Sequence, residues 1–286
     1  MSGFEADWLA LRAPADEAAR APATDALLGA LPTMGRTLRV VDLGSGSGNN
    51  AVHLAPRLAA LGARRQEWTL VDDDEALLER AVERVASLDL PADASLDAST
   101  SALDLANDAV PLEGADLATA SALLDLASKD WIDRFVASLT GANVPAVLVA
   151  LSVDGRVAWS PPDPFDGAAA DLFHADMRRD KGLGIALADE APKHFAAALE
   201  RAGYRVERAD SAWRLGASDR DLQRRYLDDV ANVVIERGAR ADVEAWRHGR
   251  SAAIEGGTSR LLVGHVDLLG VLDPTSRSKS TSTPIA

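Results

Sequence analysis

Residues 38–50, LRVVDLGSGSGNN, decide the fold of this chain. The first half is a short apolar run rich in β-branched residues, which ends at Gly44, Gly46 and Gly48. This pattern predicts a buried strand that runs into a glycine-rich turn. Apolar residues recur at helical spacing after the turn, so the turn is expected to lead into a helix N-terminus. Backbone N–H groups and the helix dipole would face a ligand there.

Two phosphate-binding interpretations of the turn are weakened by its details. A dinucleotide fingerprint needs glycine or alanine at its sixth position, which holds Asn49 when counted from Gly44. A P-loop ends in Gly-Lys-Ser/Thr, whereas this turn ends in Gly48-Asn49-Asn50. The turn therefore offers no lysine to neutralise a phosphate.

The turn resembles motif I of the class I S-adenosylmethionine (SAM) dependent methyltransferases, which is an apolar strand, an acidic residue and Gly-x-Gly-x-Gly. Asp42 is that acidic residue, two positions before Gly44. The resemblance implies that Asp42 lies near the methionine end of SAM, where a carboxylate can pair with an ammonium group. It also implies that the turn residues Gly44, Ser45 and Gly46 bind the cofactor.

The resemblance implies an α/β fold with a doubly wound, mostly parallel seven-stranded sheet, Rossmann-like, with helical cap insertions. The length of 286 residues suits one large domain or one domain with insertions. A net charge of −14 argues against a nucleic-acid binder, because phosphate contacts need clustered lysine and arginine. We therefore expect a small-molecule methyl acceptor as partner, and no pattern indicates an oligomeric state.

Metal, membrane and export signals are not found in the sequence. The chain has no cysteine, and its histidines do not show the spacing of metal ligands, so we predict no metal. The first twenty residues contain early acids and no long apolar core, so we expect neither a signal peptide nor a membrane span. A cytoplasmic protein is the expectation.

The region before the first strand is predicted to form two helices, over residues 6–12 and 16–31, punctuated by Pro14 and Pro22. A leading helix closes over the cofactor in many class I methyltransferases, so the resemblance implies a helical lid over residues 1–37. Arg12 or Arg20 would then pair with the carboxylate of SAM, and we assign Arg20. The alternative is that both arginines are solvated helix charges.

The second predicted strand ends in a run of acidic residues. The apolar run 68–71 leads directly into Asp72-Asp73-Asp74, one strand–helix–strand unit after Asp42. The resemblance implies that Asp72, at the carboxyl end of this strand, accepts the two ribose hydroxyls of the cofactor. Asp73 and Asp74 are expected mainly to cap the following helix, with Asp73 bordering the same site.

The third strand can end at Asp97 or at Asp104. In the family, an acidic residue after strand three accepts from the adenine amino group. We prefer Asp104, with Leu105 beside it, because a loop and the next apolar run follow at a short distance. Asp97 stays open as the alternative.

The fourth strand is predicted over residues 116–120, and SALLDL follows where the family has its fourth motif. The carboxyl ends of the strands face the ligand crevice, so Ser121 and Ala122 are expected to border the sulfonium of SAM. Asp125 is the ionisable residue of this segment and the candidate base for an oxygen acceptor. It can equally begin the next helix. The Asn-Pro-Pro-Tyr signature for planar amino groups is absent.

Two insertions follow a fifth strand predicted over residues 145–153. They cover about 154–190 and 217–256 within a methyltransferase domain of residues 38–272, and residues 273–286 read as a disordered tail. Both insertions emerge beside the crevice, which predicts a substrate cap. We predict that its acceptor pocket is lined by Trp159, His174, Arg178, Lys181 and Trp213. The basic residues among them would suit an anionic acceptor.

The sequence thus predicts a SAM-dependent methyltransferase that acts on a small molecule. Two alternatives remain at this stage. A nicotinamide-dependent oxidoreductase would explain the glycine turn and Asp72, but lacks the small residue at the sixth position. A non-catalytic SAM-binding protein would keep Asp42, the glycines and Asp72 without a base.

Overall fold

A computed structural model describes residues 3–32, 37–238 and 240–273. The strands are β1 Thr37–Leu43, β2 Arg65–Asp72, β3 Ser95–Ala102, β4 Leu117–Ser121, β5 Ala146–Ser160, β6 Tyr204–Asp210, β7 Trp213–Leu215 and β8 Arg260–Leu272. The helices are α1 Gly3–Leu28, α2 Asn49–Ala60, α3 Glu75–Ala86, α4 Lys129–Gly141, α5 Asp166–Met177, α6 Ala191–Arg201, α7 Arg220–Glu236 and α8 Arg240–Glu255.

The strands form one twisted sheet in the order β3-β2-β1-β4-β5-β8-β6. The first five strands pair in parallel, and β8 runs antiparallel between β5 and β6. The predicted doubly wound, mostly parallel sheet of seven strands is confirmed. The short strand β7 was not predicted and pairs with the outer part of β8.

Helices cover both faces of the sheet, because successive side chains of β1 point to opposite sides. Leu38 and Val40 pack with α2 and α3 on one face, and Val41 and Leu43 pack with α4 and α6 on the other. Each such fully buried aliphatic side chain contributes about 2 kcal/mol of hydrophobic stabilisation. The central position of β1 puts its carboxyl end, and so the glycine turn, in the middle of one sheet edge.

The N-terminal region is one continuous helix, α1, and not the two helices predicted around the prolines. Pro14 and Pro22 both lie inside it. Proline removes a backbone hydrogen bond, but tertiary packing outweighs this local cost. Leu27 and Leu28 are buried against the sheet core, while Ala15 packs into the cap.

Strand β5 is longer than predicted and continues to Ser160. It pairs with β8 along most of its length, with irregularities between Val149 and Ser152 and between Val153 and Val157. The first excursion from the sheet therefore begins after Ser160. Helices α5, α7 and α8 surround a third apolar cluster, which includes Trp159, Trp213 and Tyr226. We refer to this layer, with β7, as the cap.

Within the part of the chain that the structure describes, no helix combines the length and apolar character needed to cross a bilayer. The predicted tail, apart from residue 273, lies outside the described residues, as do residues 1–2 and 33–36 of the predicted lid.

Candidate cofactor and active site

The turn after β1 depends on its three glycines. Gly44, Gly46 and Gly48 all have positive φ, of 62°, 50° and 80°. A Cβ at Gly48 would lie 3.0 Å from both Cα and Cβ of Ala81 on α3. Glycine at this position therefore allows the left-handed backbone and also the close approach of the turn to α3.

Hydrogen bonds tie the glycine turn to its neighbours. Ser45 accepts a hydrogen bond at Oγ from the amide of Val71 (2.9 Å), and its Oγ donates to the carbonyl of Asp42 (2.7 Å). From the other side, Arg84 Nη1 donates to the carbonyl of Ser47 (2.8 Å) and to Oδ1 of Asn49 (2.5 Å). The turn is thus fixed between β2 and α3 without a ligand.

Asp72 is the last residue of β2 and faces the glycine turn. Its Oδ2 accepts from the amide of Gly46 (2.8 Å), and its Oδ1 accepts from the amide of Asp74 (3.1 Å). Partial burial raises the pKa of Asp72, and the two amide hydrogen bonds oppose that rise. The predicted capping of α3 is confirmed for Asp74, whose Oδ1 accepts from the amide of Leu77 (3.0 Å).

A cavity of about 210 Å³, here called the crevice cavity, opens beside Asp72. It combines carboxylates from the ends of β2 and β3 with a leucine-rich wall, and its lining residues are Gly44, Asp72, Asp73, Leu103, Asp104, Leu105, Leu123, Leu126, Lys181, Gly182 and Leu183. Because β3 ends at Ala102, Asp104 lies just past its carboxyl end, whereas Asp97 lies near its amino end, opposite Glu67 of β2. The structure therefore brings Asp104, and not Asp97, to the crevice.

A second cavity of about 200 Å³ lies beneath α1 and is called here the α1 cavity. Its wall includes Arg20 and Glu17 of α1, together with Ser121 at the end of β4 and Leu151 of β5. The Arg20 side chain is 3% exposed, and its Nη2 donates to Oδ1 of Asn50 (2.6 Å). The Arg20 Nε has no hydrogen-bond partner among the described residues.

Asp42, the residue before the last of β1, is fully buried. Asn50 Nδ2 donates to Oδ1 of Asp42 (2.5 Å) and to Oγ1 of Thr119 (3.1 Å). Burial raises the pKa of Asp42 to about 7, against the opposing effects of the Asn50 hydrogen bond and the Arg20 charge. Asn50 thus connects the motif acid to Arg20, a link that sequence reasoning missed.

Asp125 lies in a short 3₁₀ turn, Leu124–Leu126, after β4. Burial raises the pKa of its carboxyl, which the charges of Arg12 and Lys181 partly oppose. Its Oδ1 is buried and makes no hydrogen bond to any described residue. The preceding Ala122 has a φ of 53°, an uncommon conformation for a residue with a Cβ, and its amide donates to the carbonyl of Ala150 (2.9 Å).

The structure separates the five residues predicted to line an acceptor pocket. Lys181 lines the crevice cavity, and Arg178 forms an ion pair with Asp189 (2.8 Å). His174 is partly exposed in the last turn of α5. Trp159 packs against Tyr226 in the cap, and the indole Nε1 of Trp213 donates to Oδ1 of Asp16 (2.9 Å). Both tryptophan rings are buried in the packing between the cap and α1.

Lys181 reaches the crevice through the loop after α5. The amide of Ser128 donates to the carbonyl of Leu183 (3.1 Å), and the amide of Leu187 donates to the carbonyl of Ala127 (2.9 Å). A Cβ at Gly184 would lie 2.9 Å from Oγ of Ser128. The two glycines around Leu183 were a sequence signal for a tight turn, but its contact with Ser128 was not predictable locally.

No three His, Asp or Glu side chains within residues 3–32, 37–238 and 240–273 lie close enough together to hold a metal ion.

Comparisons with known proteins find likeness in structure. No protein-family model matches the chain, and neither does any curated protein. A SAM-dependent methyltransferase from Methanosarcina mazei aligns with a TM-score of 0.47 and 12% identity over 84% of this chain and 95% of its own. A SAM-dependent methyltransferase from Thiobacillus denitrificans, solved with S-adenosylhomocysteine, aligns with a TM-score of 0.42 and 20% identity over 86% of this chain and 90% of its own. Geranyl diphosphate C-methyltransferase from Streptomyces coelicolor aligns with a TM-score of 0.44 and 11% identity over 87% of this chain and 76% of its own. The likeness concerns the fold.

Proposed function

We propose that this chain is a SAM-dependent methyltransferase acting on a small molecule. The observation that carries the proposal is the hydrogen bond from the amide of Gly46 to Asp72, whose side chain lines the crevice cavity. This contact joins the β1 turn to the end of β2, beside the switch point between β1 and β4 where open α/β sheets bind ligands. A carboxylate held there fits a ribose diol.

Residues that line the two cavities fit the other parts of the cofactor. The leucine-rich wall of the crevice cavity suits a flat adenine ring, with Asp104 and Leu105 at its edge. The α1 cavity offers the unpartnered Nε of Arg20 to a carboxylate, and Ser121 lies at the end of β4 beside it. When bound, SAM supplies an activated methyl group on a sulfonium. In this proposal α1 is the lid of the site.

The protein's tasks in the reaction are alignment and exclusion of water. Helix α1 contributes to the wall of the α1 cavity, and the loop that carries Lys181 contributes to the wall of the crevice cavity. Asp125, buried and with a raised pKa, would take the proton from a hydroxyl acceptor. Because Arg178 is paired with Asp189 while Lys181 lines the crevice, Lys181 is the residue that would attract an anionic acceptor.

Isothermal titration tests the proposal, with SAM, S-adenosylhomocysteine (SAH) and NAD as ligands. The protein is expected to bind SAM and SAH, and Asp72→Ala is expected to lose both by removing the ribose acceptor. Asp89→Ala, at an exposed carboxylate outside both cavities, is the matched control and should bind as the parent does. Binding of NAD alone would overturn the proposal in favour of a nicotinamide enzyme. Binding of SAM without turnover of any acceptor would leave a SAM-binding protein.

A further inference from the structure

Arg20 lies among four carboxylates. Burial lowers the pKa of Arg20, and the nearby charges of Asp267, Asp16, Asp42 and Glu17 oppose this effect. Two of these acids have other cationic partners: Asp16 pairs with Arg12 (2.7 Å), and Glu17 pairs with Arg57 (3.0 Å). The carboxylates left to Arg20 are those of Asp42 and Asp267.

Asp267 is fully buried on β8 and lies against the backbone of Leu151, a residue that lines the α1 cavity. Its Oδ1 accepts from the amide of Leu151 (2.8 Å) and from Oγ of Ser211 (2.5 Å). Leu151 lines the α1 cavity and has a φ of 53°, at the irregularity where β5 and β8 lose register. The Oδ2 of Asp267 makes no hydrogen bond within the described chain. Nothing in the proposed reaction so far uses this carboxylate.

The three buried groups do not balance in charge. Burial raises the pKa of Asp42 to about 7 and also raises that of Asp267. When both are ionised they carry two negative charges against the one positive charge of Arg20, so the cluster keeps one unmatched negative charge beside the α1 cavity. His53, also in the wall, adds no positive charge at neutral pH, because burial and the neighbouring arginines lower its pKa to about 4. Arg84 also borders the cavity but is exposed, so solvent and salt screen its charge.

We propose that Asp267 is a charge-selectivity residue of the cofactor site, which makes the α1 cavity prefer a ligand with a net positive charge. This inference rests on the proposed function. SAM carries a sulfonium, an ammonium and a carboxylate, and so has a net charge of about +1, whereas its product SAH is neutral. Unmatched buried charges act over several ångströms because the interior screens them poorly.

Methyl transfer itself removes the preferred charge. The acceptor forms a bond to the methyl carbon, the carbon–sulfur bond breaks, and its electron pair stays on sulfur as a neutral thioether. A hydroxyl acceptor loses its proton to the base. The product has no net positive charge to balance the negative charge of the Asp42, Arg20 and Asp267 cluster. It is therefore held less tightly than the cofactor.

Titration calorimetry of Asp267→Asn at pH 8 tests this inference. SAM and sinefungin carry a net positive charge, while SAH and 5′-methylthioadenosine are neutral. Asparagine keeps an oxygen that can accept from Leu151 and Ser211, so the local hydrogen bonds beside the cavity are retained. The affinity for the two cationic ligands is expected to fall about fivefold or more, and that for the two neutral ligands to change less than about twofold.

Two further variants keep the test decisive. Asp176→Asn is the matched control, because Asp176 is a buried carboxylate of the cap paired with Arg179 (2.6 Å), and it should leave all four affinities unchanged. If Asp267→Asn does not fold, Asp42→Asn removes the other carboxylate and should lower the affinity for SAM more than that for SAH, since the two ligands share the ammonium group and differ in the sulfonium charge. An equal loss for all four ligands, or no loss, overturns the inference. If the parent protein binds none of the four, the proposed function itself fails.

Discussion

The backbone amide of Gly46 lies 2.8 Å from Oδ2 of Asp72, so the motif turn and the end of β2 share a hydrogen bond before any ligand is bound. The amide of Asp74 holds the other carboxylate oxygen. A ribose would therefore meet a carboxylate whose orientation is already set by the backbone, which lowers the entropy cost of binding. Several predictions about the site depend on how firmly this turn is held.

Gly48→Ala is expected to destabilise the fold. The substitution adds a Cβ at 3.0 Å from Ala81 and forces alanine to a φ of 80°, so the free energy of unfolding should fall by about 2–4 kcal/mol. Gly62→Ala is the control, since Gly62 has a φ of 104° but a Cβ there would meet no described atom within 4 Å. Its cost should stay near 1–2 kcal/mol. Urea unfolding measures both, and equal losses would contradict the packing argument.

Arg84→Met is expected to weaken SAM binding about fivefold while leaving the fold intact, because it frees the carbonyl of Ser47 and the side chain of Asn49 from their shared anchor. Arg84 is exposed, so little stability is at stake. Arg80→Met, one turn earlier on α3 and also exposed, provides the comparison. Calorimetric titration measures the SAM affinity of both variants. If both bind SAM like the parent, the hydrogen bonds of Arg84 to the turn do not contribute to SAM binding.

Asp125→Asn is expected to lower kcat by about 10²-fold or more, with SAM affinity changed less than about twofold, if the acceptor is a hydroxyl that needs a base. Burial raises the pKa of Asp125, so the rate of the parent protein should rise with pH through a range above that of an ordinary aspartate. Asp130→Asn, at an exposed acid in the first turn of α4, is the control. An unchanged kcat would mean that the acceptor reacts without this base.

The Asp42 carboxyl is expected to contribute a loss of stability to the ligand-free protein as pH rises from about 4 to about 7, while His53 and His265, whose pKa values burial lowers to about 4, act in the opposite direction. Burial raises the pKa of Asp42 to about 7, so in this window the folded chain holds a proton that the unfolded chain has released. The pKa values of Asp125 and Asp267 are raised as well and act in the same direction. Above about pH 7 Asp42 is charged in the folded protein as well, and its contribution to the loss of stability no longer grows with pH.

Asp42→Asn should therefore raise the free energy of unfolding at pH 8, relative to that at pH 5, by an amount on the order of 2 kcal/mol compared with the parent. Urea unfolding at the two pH values measures it, with Asp89→Asn as an exposed control that should keep the difference. An Asp42→Asn variant whose stability changes between pH 5 and pH 8 as the parent's does would contradict the argument.

Local patterns were enough to predict the parts of the site that are close in sequence. The strand, the glycine turn and the cap of α3 by Asp74 each depend on residues within a few positions of one another. The single helix α1 was not predictable, because packing outweighs two prolines that locally favour a break. The burial of Trp159 and Trp213 depends on helices and strands from both insertions.

The buried polar cluster was missed for the same reason. Asp267 accepts a hydrogen bond from the amide of Leu151, which lies on another strand and far away in the sequence. Asn50 accepts a hydrogen bond from the guanidinium of Arg20, which lies on another helix. A single sequence does not show such pairings, since each residue alone looks like an ordinary polar residue of a strand or helix.

The position of β8 has a consequence for how the protein is made. Strand β8 is the last of the described strands along the chain but lies between β5 and β6, so neither strand can complete its pairing before β8 has been synthesised. The nascent chain must hold an open edge on β5 through the synthesis of the whole cap. The carboxylate of Asp267 arrives with that closing strand, so a chain stalled before it would lack both the finished sheet and the charge beside Arg20.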